Sequence, residues 1–316
     1  MTSKVSVPSI MIGIGAGLVS ALLFASLIGG SLLTLPLFVA APLPLMIAGL
    51  GWGSHAALVG GFTALLSLQI ELGTPAALLH LGSAALPALI LTGLVARVVG
   101  GARPQWFPIG RIATIAAVVM AIATLAGALA IGFDVAETTR QVVAAFHEAL
   151  VSGGTPATDL PEAMALEPFV RASVRLMPAF FPAFWTLVLV LDLVIAARIV
   201  RRTGRMARPW EDLAMLEVSP WLGLVFAAGF AGAFLSGSLG VLASIAAGAA
   251  FAPLFLVGMG VLTVLTRPTD MRWILRATAY GLVLLFPIAA LVMALVGLAD
   301  THLGLRRGAR SDTDPT

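Results

Sequence analysis

Apolar residues fill long unbroken runs along the chain, and charged residues collect between them. The runs cover residues 9–50, 54–70, 76–96, 109–133, 177–197, 219–265 and 273–299. Charged groups are sparse within them: His80, Asp192 and Arg276 lie inside, Arg111 at one edge and His55 at a span end. A helix needs about 20 apolar residues to cross a hydrocarbon core of roughly 30 Å. The pattern therefore predicts an all-α, polytopic transmembrane helix bundle. Two runs are too long for one helix. Gly29, Gly30 and Ser31 divide the first, and Ser236, Gly237 and Ser238 divide the run 219–265. The predicted spans are 9–28, 32–50, 54–70, 76–96, 110–132, 177–198, 219–236, 239–265 and 273–298. That makes nine, or eight if one segment is re-entrant. Pro36, Pro42 and Pro44 are expected to bend the second span, because each proline removes a backbone donor.

The one long polar stretch, 134–176, predicts short amphipathic helices outside the membrane. Asp134 with Glu137 three residues on forms a capping-box-like start. Val135, Val142, Phe146 and Leu150 then recur at helical spacing, opposite Glu137, Arg140, Gln141 and Glu148. Gly153 and Gly154 stop that helix. Asp159, Pro161 and Glu162 start a second one, expected to break near Pro168.

Arginine and lysine in short loops set the orientation, since they are retained on the cytoplasmic side. A cytoplasmic N-terminus places Lys4, Arg97, Arg103 and Arg111 inside. The Arg-rich loop 199–218 and the Arg267, Arg272 and Arg276 cluster follow them. Nine spans would then put Arg306, Arg307 and Arg310 outside, against the rule. The first apolar run continues far past the length of a cleavable signal and reads as a retained span in a bacterial inner membrane.

Composition narrows the function classes. Hydrophobic residues make up 59% and charged residues 10%, and the mean hydropathy is +1.05. A soluble domain carries about 25% charged residues, so no soluble catalytic domain is expected. The absence of cysteine removes disulfides, thiolate nucleophiles and sulfur-ligated metals. The net charge of +3 reads as membrane anchoring rather than nucleic-acid binding. There is no HExxH, GxSxG or Walker pattern, and the single intramembrane aspartate lacks the second acid of an aspartyl protease. No enzyme, cofactor or metal site is expected.

Three features invite function. Gly13, Gly17, Ala21, Ala25 and Gly29 recur every four residues in the first span. Such a stripe lets another helix approach closely, either within the bundle or in a partner membrane subunit. A second stripe, Gly240, Ser244, Gly248 and Ala252, could face it. Asp192 lies in an apolar span, where a carboxylate is costly; it reads either as part of a structural pair or as an ion-coupling group. Gln69, Glu71 and His80 flank the turn Gly73-Thr74-Pro75 at similar depth near the outer face, where they could meet a small solute.

The stretches Arg208–Phe226 and Thr266–Arg307, above all GLADTHLGLRR at Gly297–Arg307, resemble the YybS-like family of bacterial inner-membrane proteins. PLPLMIAGLGWG at Pro42–Gly53 adds to the resemblance. That family is in turn distantly similar to the substrate-binding membrane subunits of energy-coupling-factor vitamin transporters. The resemblance implies a ligand bound near the outer face and docking on a coupling subunit through small residues of the first helix, here Ala21 and Ala25. The expected function is a transporter-like subunit binding a small solute. The alternative is a membrane scaffold or morphogenesis protein that organises partner membrane proteins.

Overall fold

The computed structural model describes residues 6–100, 105–152, 163–206, 208–209 and 211–306. It is an all-α membrane bundle, with one two-residue antiparallel ladder pairing Val98–Val99 with Gln105–Trp106. Seven helical segments are long and apolar enough to cross a bilayer: Val7–Gly29, Leu32–Trp52, Ser54–Leu72, Thr74–Val95, Ile109–Ala130, Leu166–Arg202 and Gly237–Leu265. The charged positions anticipated at Lys4, Arg103, Asp159, Glu162, Arg307 and Arg310 lie outside the described residues.

α1 (Val7–Ala25) begins at a reciprocal cap between Ser6 and Ser9. The second span is broken into α2 (Leu35–Val39) and α3 (Pro42–Trp52). Pro42 and Pro44 lack the N–H groups that would continue the helical ladder, so tighter bonds bridge the gap, Ala41 N–H to Phe38 O and Leu43 N–H to Ala40 O, both 3.1 Å. α4 (Ser54–Leu72) lies parallel to α1. The fourth span runs from α5 (Thr74–His80) through a π-helical turn, Leu81–Ala85, into α6 (Leu86–Val95). α7 (Ile109–Ala130) precedes α8 (Val135–Ser152), which carries the amphipathic pattern read from sequence. Asp134 caps α8 by accepting from Glu137 N–H at 2.9 Å. Hydrogen bonds from Arg140 and Gln141 hold the Glu137 carboxyl below the usual range.

α9 (Ala163–Arg202) corrects one expectation. Its 40 residues continue through Pro168, Pro178 and Pro182 without the anticipated break at Pro168. At 1.5 Å per residue it is about 60 Å long, so its first turns project beyond the membrane beside α8.

The last third of the chain corrects two more. α10 (Trp221–Gly232) has 12 residues, about 18 Å, too short to span alone. The segment before it, residues 211–220, is non-helical apart from one turn at Leu213–Met215, yet it packs inside the bundle, with Leu216 buried against Val194 and Val257. α11 (Gly237–Leu265) is the central helix of this half. The anticipated span 273–298 is two helices, α12 (Arg272–Leu285) and α13 (Pro287–Leu303), meeting at 119°. The break falls where Phe286 is extended and Pro287 opens the next helix.

Both ends of this hairpin sit beside the last turns of α11. Arg276 donates to Thr266 Oγ1 and Thr263 O at 2.9 and 2.7 Å, and Arg306 donates to Ala214 O, the carbonyl that abuts Gly260. Both ends of the hairpin thus lie at one end of the bundle, and Arg306 returns to the face that holds Arg205, Arg208 and Arg267. Arg208 reaches Val95 O and Glu211 there, Arg267 pairs with Asp212, and Arg205 lies over Trp52. The apparent violation of the charge rule at the C-terminal end disappears for Arg306.

Candidate functional site

The small-residue stripe of α1 is occupied by the chain's own α4. A Cβ at Gly13 would stand 2.7 Å from Ala56 O, and one at Gly17 would stand 2.2 Å from Gly60 O. Ala21 is buried in a cluster with Ala64, Leu68 and Ala77, Ala25 is half-buried at its edge, and Gly29 is exposed. A partner helix has no room at Gly13 or Gly17. The second stripe does not face the first. Gly248 packs on Ala179 of α9, where an added Cβ would meet the carbonyl oxygen at 1.9 Å. Gly17→Leu should cost about 3 kcal/mol by forcing α1 off α4. Gly15→Leu, with open space around it, should leave stability within about 0.5 kcal/mol of the parent. Unfolding titrations in detergent micelles measure both, and equal losses would contradict the packing.

The three side chains expected to meet a solute do not converge. Gln69 is exposed and donates from Nε2 to Thr74 Oγ1 at 3.1 Å. Glu71 is exposed at the end of α4. His80 is fully buried, 2.9 Å from Ser20 Oγ, and Ser20 in turn donates to Ala41 O at 2.7 Å across the break in the second span. With its own proton committed to Ala41, Ser20 accepts from His80 Nε2–H. His80 Nδ1 is left buried without a protein partner, and the Phe24 ring stands edge-on to the imidazole at 5.2 Å. Asp192 is 3% exposed, and its Oδ2 has no hydrogen-bond partner.

Two clefts are open to solvent. One, of about 230 Å³, lies on the face away from the arginine-rich loops, between the starts of α8 and α11 and the outer turns of α9. Asp134, Arg171, Arg175, Ser236 and the buried Ser244 are among its lining residues. Arg175 is fixed in it: Nε and Nη2 donate to Ala233 O at 3.2 and 3.0 Å, and Nη2 also reaches Leu235 O at 3.4 Å. Its Nη1 has no partner among the described residues. Arg171 makes one ion pair, from Nη2 to Glu167 at 2.7 Å. The other cleft, of about 250 Å³, opens on the arginine-rich face beside Asp300 and Arg306. There the Arg306 guanidinium is consumed by Asp300 Oδ2 at 2.6 Å and by the carbonyls of Ala214 and Leu216 at 2.5 and 2.9 Å.

Arg171 and Arg175 fall in the polar stretch 134–176 that the sequence predicts outside the membrane, where no role was read for them. Their sequence signal is two arginines one helical turn apart just before an apolar run, which is also how a plain interfacial anchor looks.

No curated protein and no solved structure matches the chain. Residues 17–301 match the family model described as Predicted membrane protein (DUF2232). The match begins midway through α1 and ends within the last turn of α13, so it takes in the broken second span, the far-face cleft and the re-entrant hairpin. The chain belongs to this family of predicted membrane proteins.

Proposed function

We propose that the protein is a non-catalytic, transporter-like subunit of a bacterial inner membrane that binds a small solute from the outer side. The N-terminus and the arginine-rich loops face the cytoplasm, and the far-face cleft between α8, α9 and the α10–α11 turn opens outward. The observation that carries this reading is Arg175. It lines a cleft of about 230 Å³, two backbone carbonyls hold it in place, and one guanidinium nitrogen is left for a ligand. A donor already ordered by the protein loses little freedom when it binds, which favours recognition. The arginine-rich face satisfies the positive-inside rule once Arg306 is counted on it. The likeness of Gly297–Arg307 to the YybS-like family, and through it to solute-binding transporter subunits, points the same way.

The test is retention of small molecules by the full-length protein in nanodiscs. After incubation with a cell metabolite extract and desalting, bound solutes are released and identified by mass spectrometry. Arg175→Ala should weaken retention about 10- to 100-fold, the worth of one charge-assisted hydrogen bond. Arg175→Lys should rescue it only partly, because a lysine cannot hold two carbonyls and a ligand in one plane. A wild-type protein that retains no solute, but captures other membrane proteins, would reverse the reading in favour of a scaffold.

A further inference from the structure

Asp192 sits on the face of α9 that looks into the middle of the bundle. At 100° per residue it falls about 40° from Val188 on one side and about 40° and 60° from Ala196 and Leu189 on the other. Those three side chains belong to one apolar cluster with Leu45 of α3, Leu91 of α6 and Ile112 of α7. A carboxylate there has lost its water, and its Oδ2 has gained no hydrogen bond in exchange. Burying an uncompensated charge costs several kcal/mol or more, so a buried carboxylate in a stable bundle is matched by an opposite charge or by a proton.

The described residues supply no opposite charge. α3, α6 and α11, which pack on α9, carry no titratable residue. α7 carries only Arg111, exposed at its first turn, and Arg198 of α9 itself is exposed. Glu137, Arg140, His147 and Glu148 of α8 lie on the far face. In the 208–220 loop Arg208 pairs with Glu211 and Asp212 with Arg267, and Glu217 places its backbone carbonyl against Gly110. Asp300 of α13 is closed on Arg306. No salt bridge reaches Asp192 among the described residues.

The depth of Asp192 adds a second observation. Phe38 meets Trp185 edge-on at 5.5 Å, and a Cβ added at Gly51 would stand 3.7 Å from the Val200 side chain, so the second span and α9 run in the same direction. Asp192 lies midway between Trp185 and Val200 and so stands opposite Pro42–Leu45, just past the break between α2 and α3. The same break holds the Ala41–Ser20–His80 chain, whose Nδ1 is also buried and unpartnered. Interrupted spans near the middle of the membrane, flanked by unpaired polar atoms, are where membrane proteins hold small cations. Among the described residues no three His, Cys, Asp or Glu side chains come together as a metal site, so a multivalent ion lacks ligands.

We infer that Asp192 is the site of one exchangeable monovalent cation, a proton or a sodium ion, held in the bundle interior beside the broken second span. The site stands whether or not the far-face cleft binds a solute. A proton would make Asp192 a neutral acid able to donate a hydrogen bond. A sodium ion would be held by the Asp192 carboxylate as its charged ligand.

Infrared difference spectroscopy of the full-length protein in nanodiscs separates the two sources. In sodium-free buffer, a proton gives a carboxylic-acid carbonyl band in the wild type that is lost in Asp192→Asn. The band shifts in heavy water and disappears in alkali while the protein stays folded. If sodium is the occupant, adding sodium at constant pH removes that band, and the wild type binds radioactive sodium stoichiometrically while Asp192→Asn binds none. Absence of both the band and bound sodium would overturn the inference. So would an acid band that ignores heavy water and persists until the protein unfolds, since that marks a locked structural acid. Should Asp192→Asn fail to fold, the same arms on wild-type protein with isotope-labelled aspartate decide the question.

Discussion

Arg306→Ala should cost about 3–5 kcal/mol of stability, the usual loss when one partner of a buried ion pair is removed. Arg306 and Asp300 are 5% and 7% exposed. The arginine makes two bonds to Asp300 Oδ2, at 2.9 Å from Nε and 2.6 Å from Nη2, and its backbone N–H adds one to Oδ1 at 3.2 Å. Its remaining donors satisfy Ala214 O and Leu216 O. Those carbonyls belong to the two buried residues, Ala214 and Leu216, of the non-helical segment 211–220. The substitution therefore orphans a carboxylate and two carbonyls together. Asp300→Asn should cost less, about 2 kcal/mol, because the amide oxygen still accepts one bond and the carbonyls keep their partner. Denaturant titration in mixed micelles measures both. An Arg306→Ala loss below about 1 kcal/mol would mean that other contacts hold the 211–220 segment in place.

The long apolar helices over 9–28, 32–50, 54–70, 76–96, 110–132 and 177–198 were legible because hydropathy reports how long a segment stays apolar. That is the quantity a bilayer tests. It does not report direction. Residues 273–298 remain apolar across Pro287, so the run reads as one span although the chain reverses there. The 219–236 run conceals a different substitution. The helix there is only 12 residues long, and the irregular segment before it has its carbonyls met by Arg306, whose bonds to Ala214 and Leu216 span 92 and 90 residues of sequence. Pro168 was taken as a breaker, yet it lies in the early turns of α9, which continues through it as it does through Pro178 and Pro182.

The candidate sites divide along the same line. Gln69, Glu71 and His80 flank the one turn that joins their helices, but nearness along a chain does not fix rotation about a helix. Rotation turns Gln69 and Glu71 outward and carries His80 in against Ser20. Asp192 was legible because a carboxylate in an apolar run is costly wherever it points. Arg175 was not, because its partners Ala233 and Leu235 lie 58 and 60 residues away on another turn.

The re-entrant hairpin makes an all-or-none prediction that the sequence itself makes easy to test, since the chain contains no cysteine. Single cysteines at Thr269 and Leu305, exposed on either side of α12 and α13, should react with a membrane-impermeant maleimide from the same side of sealed vesicles. A cysteine at Gln141, exposed on α8, should react only from the other side. If residues 272–303 crossed the membrane as one span, Thr269 and Leu305 would label from opposite sides, and Arg306 could not reach Ala214. The outcome also fixes orientation. Labelling of Gln141→Cys in intact cells, with Thr269→Cys and Leu305→Cys protected until the membrane is opened, puts the arginine-rich loops inside. It equally leaves the Arg175 cleft facing the medium, from which a solute would have to arrive. The reverse pattern would turn that cleft toward the cytoplasm and remove the basis for uptake from outside.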